Sequence, residues 1–278
     1  MDELYVVARR VLLDALEALG PHRDALVVVG AQAIYLRAGE ADLGVAPYTS
    51  DGDLALDPEL LAEIPPLEAA LLKADFVPGG RDAVGVWLAR RGTPSVPEVL
   101  VQVDLLVPEA VSPGKGRRAA RLRGHGPTAA RIVRGLEGVL VDQDRLALPA
   151  LDPGDARVLE AKIAGPAGLL VAKLHKIDER SGTARANDKD ALDVFRLLRG
   201  VPTDDFAARM RRVLADPRSA AAGRRGLVLL PALFGRGGEG AEMAARAVSK
   251  VVDADEVRLS CAILAEELVT AVGDGAFG

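Results

Sequence analysis

The pattern of apolar and polar positions divides the chain into a first half of short strands and helices and a second half of helices. Apolar residues at helical spacing predict a helix over residues 2–19, which ends at Gly20-Pro21. The β-branched run 25–31 predicts a strand, and the residues after Gly30 predict a helix. The other elements predicted in this half are strands at 50–56, 83–92 and 98–108, a helix at about 66–74, and strand-like segments at 138–151 and 157–165.

Nearly every segment from residue 166 onward has helical periodicity. Pro166 suits the first turn of a helix, so the boundary is placed at Gly165-Pro166. The sequence therefore predicts a mixed-sheet α/β (α+β) domain over residues 1–165 and a helical domain over residues 166–278.

Composition narrows the class of protein without naming a function. The 278 residues carry a formal net charge of −5, so any nucleic-acid surface has to be local. The one cysteine, Cys261, excludes an internal disulfide framework and suits a reducing compartment. Neither a signal peptide nor an apolar run of membrane-spanning length is recognisable, so the protein is expected to be cytoplasmic, with no membrane partner.

The stretch SDGDLAL (50–56) begins with two carboxylates. If it is extended, its period of two places Asp51 and Asp53 on one face, where like charges repel unless a cation lies between them. A turn is the alternative, because Asp-Gly is also common in hairpins. Asp104 is a single acid in an apolar strand, so we expect a cation, an arginine or a position at the sheet rim beside it.

A small-residue turn, Gly30-Ala31, joins the first predicted strand to its helix. Such a turn exposes backbone N–H groups at the positive end of a helix and suits phosphate, and Ser50 could also bond a phosphate. Asp51, Asp53 and Asp104 beside this turn are the residues that two-metal phosphoryl or nucleotidyl transfer requires, with Mg²⁺ on hard oxygen ligands. The alternative left open is a turn pair plus an unrelated, salt-bridged Asp104.

The segment 169–198 contains two lysines, Lys173 and Lys176, that share one face of a helix. Lys173 is expected at the edge of the core, where it could counter triphosphate charge. In NDKDALDVFRLL, Asp188 can cap a helix, and a functional role for Asp190 with Lys173 rests mainly on the resemblance described next. Asp193 is interpreted instead as part of a capping box or a solvated pair.

At these residues the chain resembles the nucleotidyltransferase toxins of the AbiEii and MenT type, within the DNA-polymerase-β-like superfamily. The resemblance rests on Gly30-Ala31, Asp51-Gly52-Asp53, Lys173-Leu174 and Lys189-Asp190 with Asp193, and it covers roughly residues 25–198. Two residues depart from the family pattern: Ala31 replaces a second Gly or Ser, and Gly52 stands where an apolar residue is usual.

The resemblance implies a metal-dependent transfer of a nucleoside monophosphate from an NTP to an acceptor hydroxyl. Asp51, Asp53 and Asp104 would hold Mg²⁺ at a two-metal site, with Asp104 as third ligand or base. The implied triphosphate contacts are Gly30, Ala31, Ser50, Lys173 and Lys176, and Asp190 would orient Lys173 or contact the ribose. The implied acceptor is the tRNA 3′ end, and the implied role is a toxin with a cognate antitoxin protein.

A basic segment between residues 112 and 135 could bind such an RNA through its phosphates. Its candidate contacts are Lys115, Arg117, Arg118, Arg121 and Arg123. A solvated loop is an equal alternative, since no aromatic residues interleave for base stacking. Two other functions stay open: the same transfer to a small-molecule or protein hydroxyl, and nucleotide binding without turnover.

Overall fold

The computed structural model describes residues 2–39, 45–80, 83–94, 96–113 and 118–274. Cα packing divides the chain into two units. The first unit comprises Met1–Gln32, Pro47–Val133 and Gln143–Ile163. The second unit comprises Ala33–Ala46, Arg134–Asp142 and Ala164–Gly278.

The described residues form one mixed eight-stranded sheet. Its strands are β1 (Leu26–Val29), β2 (Asp51–Leu56), β3 (Val77–Pro78), β4 (Val86–Thr93), β5 (Val96–Pro108), β6 (Arg131–Val133), β7 (Gln143–Pro149) and β8 (Val158–Ala164). The order across the sheet is β3-β4-β5-β2-β1-β8-β7, and β6 pairs with the carboxyl end of β5. β2 runs antiparallel to β1 and parallel to β5, so the acid-bearing strands are neighbours at the sheet centre.

Helix α1 (Glu3–Ala18) packs against β2, β4 and β5. Asp2 caps its first turn by accepting hydrogen bonds from the backbone N–H groups of Leu4 and Tyr5. The apolar face of α1 is fully buried, for example at Leu12 and Val11. Gly52 of β2 lies directly beneath α1, since a Cβ there would be 3.3 Å from Leu12. The absence of a side chain at Gly52 therefore lets α1 approach the sheet closely.

Short helical segments precede or connect the strands, including 3₁₀ turns at Gly20–His22 and Glu109–Val111. Helix α2 (Gly30–Ala38) follows β1 without a loop, and α3 (Leu67–Lys73) precedes β3. A 3₁₀ turn at Glu137–Leu140 precedes β7. The predicted strand–turn–helix at Gly30 is present.

The second unit is built from packed helices. They are α4 (Pro166–Arg180), α5 (Asp188–Gly200), α6 (Thr203–Ala215), α7 (Ala220–Phe234), α8 (Glu239–Val248) and α9 (Ala254–Asp274). α4 packs against α5, α6 and α7, and α8 packs against α5 and α9. The predicted fold class, a mixed α/β sheet followed by helices, is confirmed. None of the described helices combines the length and the hydropathy that crossing a bilayer demands.

Candidate functional site

The turn between β1 and α2 brings Gly30 against Asp53. Gly30 has a φ of +69°, which disfavours any residue with a side chain. A Cβ at this position would lie 2.0 Å from Asp53 Oδ2. The Asp53 carboxylate therefore lies at the N-terminal turn of α2, where the helix dipole favours negative charge.

The acids of β2 and β5 share one face of the sheet. Gly52 faces α1, so its neighbours Asp51 and Asp53 face the opposite side of β2. Asp53 is the register partner of Asp104 across the parallel β2–β5 pair, and Asp51 is the partner of Gln102. Because register partners in a sheet point to the same face, the three carboxylates form one acidic group, defined here as Asp51, Asp53 and Asp104.

The buried carboxylate of Asp104 is paired with a positively charged side chain. Its side chain is 6% exposed, and Arg131 from β6 donates a short charge-assisted hydrogen bond to Asp104 Oδ2. Gln102 Nε2 donates to Asp104 Oδ1 at 2.6 Å. Burial raises the pKa of Asp104, and the charge of Arg131 together with the hydrogen bonds from Gln102 and Arg131 opposes that rise. The expectation of a cation or arginine beside Asp104 is confirmed, and the residue is Arg131.

Buried polar side chains fix the start of β2. Arg9 is 1% exposed and donates to Gln32 Oε1 at 2.7 Å and to the Pro149 carbonyl at 2.9 Å. Gln32 in turn donates to the backbone carbonyl of Asp51 at 2.9 Å. The buried hydroxyl of Thr49 donates to Asp51 Oδ1, whereas Ser50 is exposed. Sequence analysis missed Arg9 and Gln32, since neither stands in an acidic or phosphate-binding motif.

The donor set fits a hard divalent cation best at Asp51 and Asp53. Both are carboxylates on the same face and both are partly exposed, as Mg²⁺ ligands need to be. Asp104 has both oxygens engaged, so ligation by Asp104 requires Arg131 to move away from Oδ2. Accordingly, no group of three or more His, Cys, Asp or Glu side chains in the described part of the chain is arranged to hold a metal.

A second charged group, the lysine cluster, lies between α4 and α5 in the second unit. Lys173 Nζ donates to Asp190 Oδ1 and to Asp193 Oδ2, both at 2.7 Å. Lys176 Nζ donates to the same Asp190 oxygen at 2.9 Å, and Arg180 Nη1 lies 3.5 Å from Asp190 Oδ2. The cluster is defined here as Lys173, Lys176, Arg180, Asp190 and Asp193.

Because these charged groups are buried together, the pKa of each depends strongly on the charges of its neighbours. Burial by itself lowers the pKa of Lys173, but the charges of Asp193 and Asp190 outweigh it and raise that pKa. Burial likewise raises the pKa of Asp190, and Lys173 and Lys176 outweigh it and lower that pKa. Lys173 and Asp190 are therefore both ionised across the physiological pH range, and Lys176, 40% exposed, is the lysine nearer to solvent.

Three interpretations of this region were wrong. Asp193 is fully buried and ion-paired with Lys173, so it is neither a capping residue nor part of a solvated pair. Lys173 lies inside the core rather than at its edge, with 7% of the residue exposed. Asn187 caps α5 through Lys189 N–H, whereas Asp188 pairs with Arg246 on the surface. For Lys173 and Asp193, the packing of α4 against α5 decides the outcome.

The candidate RNA contacts are only partly described. Lys115 and Arg117 lie outside the described residues. Arg118 and Arg121 are exposed, and Arg123 pairs with Glu63 at 3.0 Å in a solvent-exposed ion pair. The acidic group belongs to the first unit and the lysine cluster to the second.

The comparisons with known proteins give a distant structural likeness. No protein-family model matches the chain, and no curated protein matches it. The structure is similar to the crystal structure of an antigenic nucleotidyltransferase-like protein from Paracoccidioides brasiliensis, with 17% sequence identity, a TM-score of 0.40 and 93% of each chain covered. Because likeness at this level carries no inference about activity, function is argued below from the side chains themselves.

Proposed function

We propose that the protein is a nucleotidyltransferase that moves a nucleoside monophosphate from an NTP to an acceptor hydroxyl. The observation that supports this most directly is the contact of the Asp53 carboxylate with the Gly30 turn, with Asp51 on the same face of β2. A helix N-terminus next to paired carboxylates offers N–H donors for phosphate and oxygen ligands for a cation in one place.

Asp51 and Asp53 would hold Mg²⁺, and Asp104 would join them as third ligand or as base if Arg131 leaves its Oδ2. Bound there, the metal would lower the pKa of the acceptor hydroxyl and offset the charge that develops on the phosphates. The acceptor oxygen forms a bond to the α-phosphorus while the bond to the bridging oxygen breaks, and pyrophosphate leaves with that electron pair. The hydroxyl proton passes to a carboxylate or to solvent.

The lysine cluster of the second unit is a candidate phosphate-binding group in its own right, as the family resemblance implies. Lys173 is held by two carboxylates and is buried, so its part is to fix Asp190. Lys176 and Arg180 are the more exposed cations, 40% and 32% exposed, and they would contact phosphate oxygens or the ribose through the Asp190 network. In the first unit, Ser50, Gly30 and Ala31 would bind phosphate oxygens beside the acidic group.

The acceptor that we propose is the 3′ end of tRNA, and the role that we propose is a toxin neutralised by a cognate antitoxin. Arg118 and Arg121 are exposed, which supports an RNA acceptor. Arginines of this kind can contact the phosphates of RNA without recognising its base sequence. A small-molecule or protein hydroxyl is the alternative acceptor for the same chemistry.

The proposal is tested by measuring the transfer of a radioactive label from an NTP to tRNA. The protein is incubated with Mg²⁺, total tRNA and each α-³²P-labelled NTP in turn, beside the variants Asp53→Asn and Asp75→Asn. Asp75 is an exposed acid of the same unit with φ +61°, which Asn tolerates, so Asp75→Asn matches the charge change and leaves the acidic group intact.

We expect label on tRNA with the intact protein and Asp75→Asn, and at least a hundredfold less with Asp53→Asn. Growth of cells expressing the intact protein should stop, and growth of cells expressing Asp53→Asn should continue. Equal labelling by both variants would exclude Asp53 from the chemistry. Absence of labelled tRNA with all four nucleotides, together with pyrophosphate release when another acceptor is present, would exclude tRNA but keep the transferase.

A further inference from the structure

A cleft of about 750 Å³ opens within the second unit, between the start of α4, the end of α5 and α6. Three arginines line it, Arg37, Arg209 and Arg212, against one acid, Asp205. Its remaining wall is apolar and includes Val201 and Pro202. The volume falls within the roughly 300–1,000 Å³ that ligand sites typically have.

A fully buried carboxylate, Asp142, fixes two of these arginines from behind the cleft wall. Asp142 Oδ2 accepts the backbone N–H groups of Ala167 and Gly168, the first turn of α4, at 2.8 and 3.1 Å. Its Oδ1 accepts from Arg209 Nη1 at 2.8 Å and lies 3.5 Å from Arg212 Nη2. The carboxylate is therefore already shared among four donors.

The cleft keeps an excess of positive charge at its surface. The residues that line the cleft include three guanidinium groups and one carboxylate, that of exposed Asp205, while the carboxylate of Asp142 is buried. Arg209 and Arg212 have 23% and 54% of their side chains exposed, and Arg37 is oriented by donating from Nε to the Ala164 carbonyl at 2.9 Å. Arginines held in place by buried acceptors lose little side-chain entropy when they bind an anion, and their planar donors match phosphate.

We propose that this arginine cleft of the second unit binds the phosphate group of a nucleotide, at a site whose lining residues differ from those of the lysine cluster. Arg212 and Arg209 contact the phosphate oxygens, and Asp205 accepts hydrogen bonds from hydroxyl groups of the sugar. The apolar wall packs against the base or the sugar. The phosphate belongs either to a free nucleotide or to one nucleotide of an RNA strand, and both present the same chemistry.

Binding is measured by isothermal titration calorimetry with the full chain in EDTA, which removes divalent cations from the acidic group. The probes are ADP, ribose 5-phosphate and a single-stranded RNA of twelve nucleotides. The test variants are Arg212→Ala and Ala208→Glu, the second placing a negative charge on the cleft wall without touching the Asp142 ion pairs. Their controls, Arg224→Ala and Ala221→Glu, make the same changes at exposed positions of α7.

We expect Arg212→Ala and Ala208→Glu each to weaken binding of a phosphate probe at least tenfold, and the two controls to leave it unchanged. Loss of ADP binding assigns the cleft to a free nucleotide, and loss of RNA binding alone assigns it to a strand. Equal affinities for test and control variants, or no binding of any probe, would overturn the proposal.

A further variant, Lys176→Ala, separates this cleft from the proposed transferase site. ADP binding that survives in Lys176→Ala and is lost in Arg212→Ala supports the cleft. ADP binding that is lost in Lys176→Ala and survives in Arg212→Ala overturns the cleft while leaving the transferase standing.

Discussion

The Asp53 carboxylate occupies the space into which a side chain at Gly30 would project. The distance from Asp53 Oδ2 to a Cβ built at Gly30 is 2.0 Å, and the backbone there has a φ of +69°. One position thus combines a conformation that favours glycine with contact to an acid of the proposed metal site. The contact explains why the turn needs Gly30 itself, while Ala31 beside it is tolerated as a buried side chain.

Replacing Gly30 with alanine should therefore lower the free energy of unfolding by more than backbone strain alone would. We expect Gly30→Ala to lower the free energy of unfolding by about 3 kcal/mol, because left-handed strain adds to the displacement of Asp53. Gly39→Ala is the matched control, since Gly39 has a φ of +58° but nothing within 4 Å of a Cβ. It should cost about 1 kcal/mol. Urea unfolding measures both variants, and equal losses would contradict the contact with Asp53.

The buried pair of Lys173 and Asp193 should be costly to break. We expect Asp193→Asn to destabilise the protein by about 3 kcal/mol, because it removes one of two carboxylates that compensate a buried lysine. Asp188→Asn breaks the exposed pair with Arg246 and should cost less than about 1 kcal/mol.

A double variant tests whether the cost comes from charge burial. Lys173→Met with Asp193→Leu removes both charges, and we expect it to be more stable than Asp193→Asn alone. Chemical denaturation of the three proteins decides this. A double variant that is less stable than Asp193→Asn would show that the ion pair stabilises the folded protein more than two apolar side chains do.

Acid should destabilise the first unit through His22. The ring is 1% exposed, its Nε2 donates to the Pro65 carbonyl at 2.9 Å, and its Nδ1 has no hydrogen-bond partner among the described residues. Burial lowers the pKa of His22, with a smaller lowering by His125, whose ring centre is 5.5 Å away, and the Pro65 carbonyl opposes it. The folded state therefore favours neutral His22.

The sign of the pH dependence follows from that lowered pKa. The unfolded chain takes up a proton near pH 6.5 and the folded chain only at lower pH, so this stabilisation is complete above about pH 7 and is lost as the pH falls. We expect His22→Gln to flatten the change in unfolding free energy between pH 7.5 and pH 5.5. Identical pH profiles for His22→Gln and the intact protein would contradict the prediction.

Asp142 should be among the most sensitive acids of the second unit. We expect Asp142→Ala to cost about 3 kcal/mol, because it removes the cap of α4 and the buried partner of Arg209 together. Asn187→Ala, which removes only the cap of α5, should cost about 1 kcal/mol. Thermal unfolding compares the two, and a loss no larger than that of Asn187→Ala would show that the Arg209 pair contributes nothing.

Local patterns were enough to predict the acid-bearing strand β2 and the glycine turn before α2 in the first unit. Period two placed Asp51 and Asp53 on one face, and a small residue after a β-branched run located the start of α2. These features depend on neighbours within a few residues along the chain, which is why the sequence carries them. The expectation of a cation near Asp104 came from the cost of burying a charge, which is also independent of the fold.

Contacts between residues far apart in the chain decided which charged side chains pair, and the sequence did not predict these pairs. Arg131 reaches Asp104 because β6 adds to the end of β5, so a residue first counted with the basic segment became the partner of a buried acid. Asp193 was misinterpreted because capping and burial place the same residue type on the same helix, and only the packing of α4 shows which applies. Asp142 is likewise defined by distant partners, since it accepts from the first turn of α4 and pairs with Arg209 of α6.

The sequence by itself determined which short segments form strands, helices or turns and which of these segments carry acids. These local features follow from the spacing of apolar side chains, from turn chemistry and from the residues allowed at positive φ. The tertiary structure alone decided which charges meet. Burial and ion pairing depend on contacts between residues far apart in the chain, such as Arg131 with Asp104 and Arg209 with Asp142, and no local pattern specifies those partners.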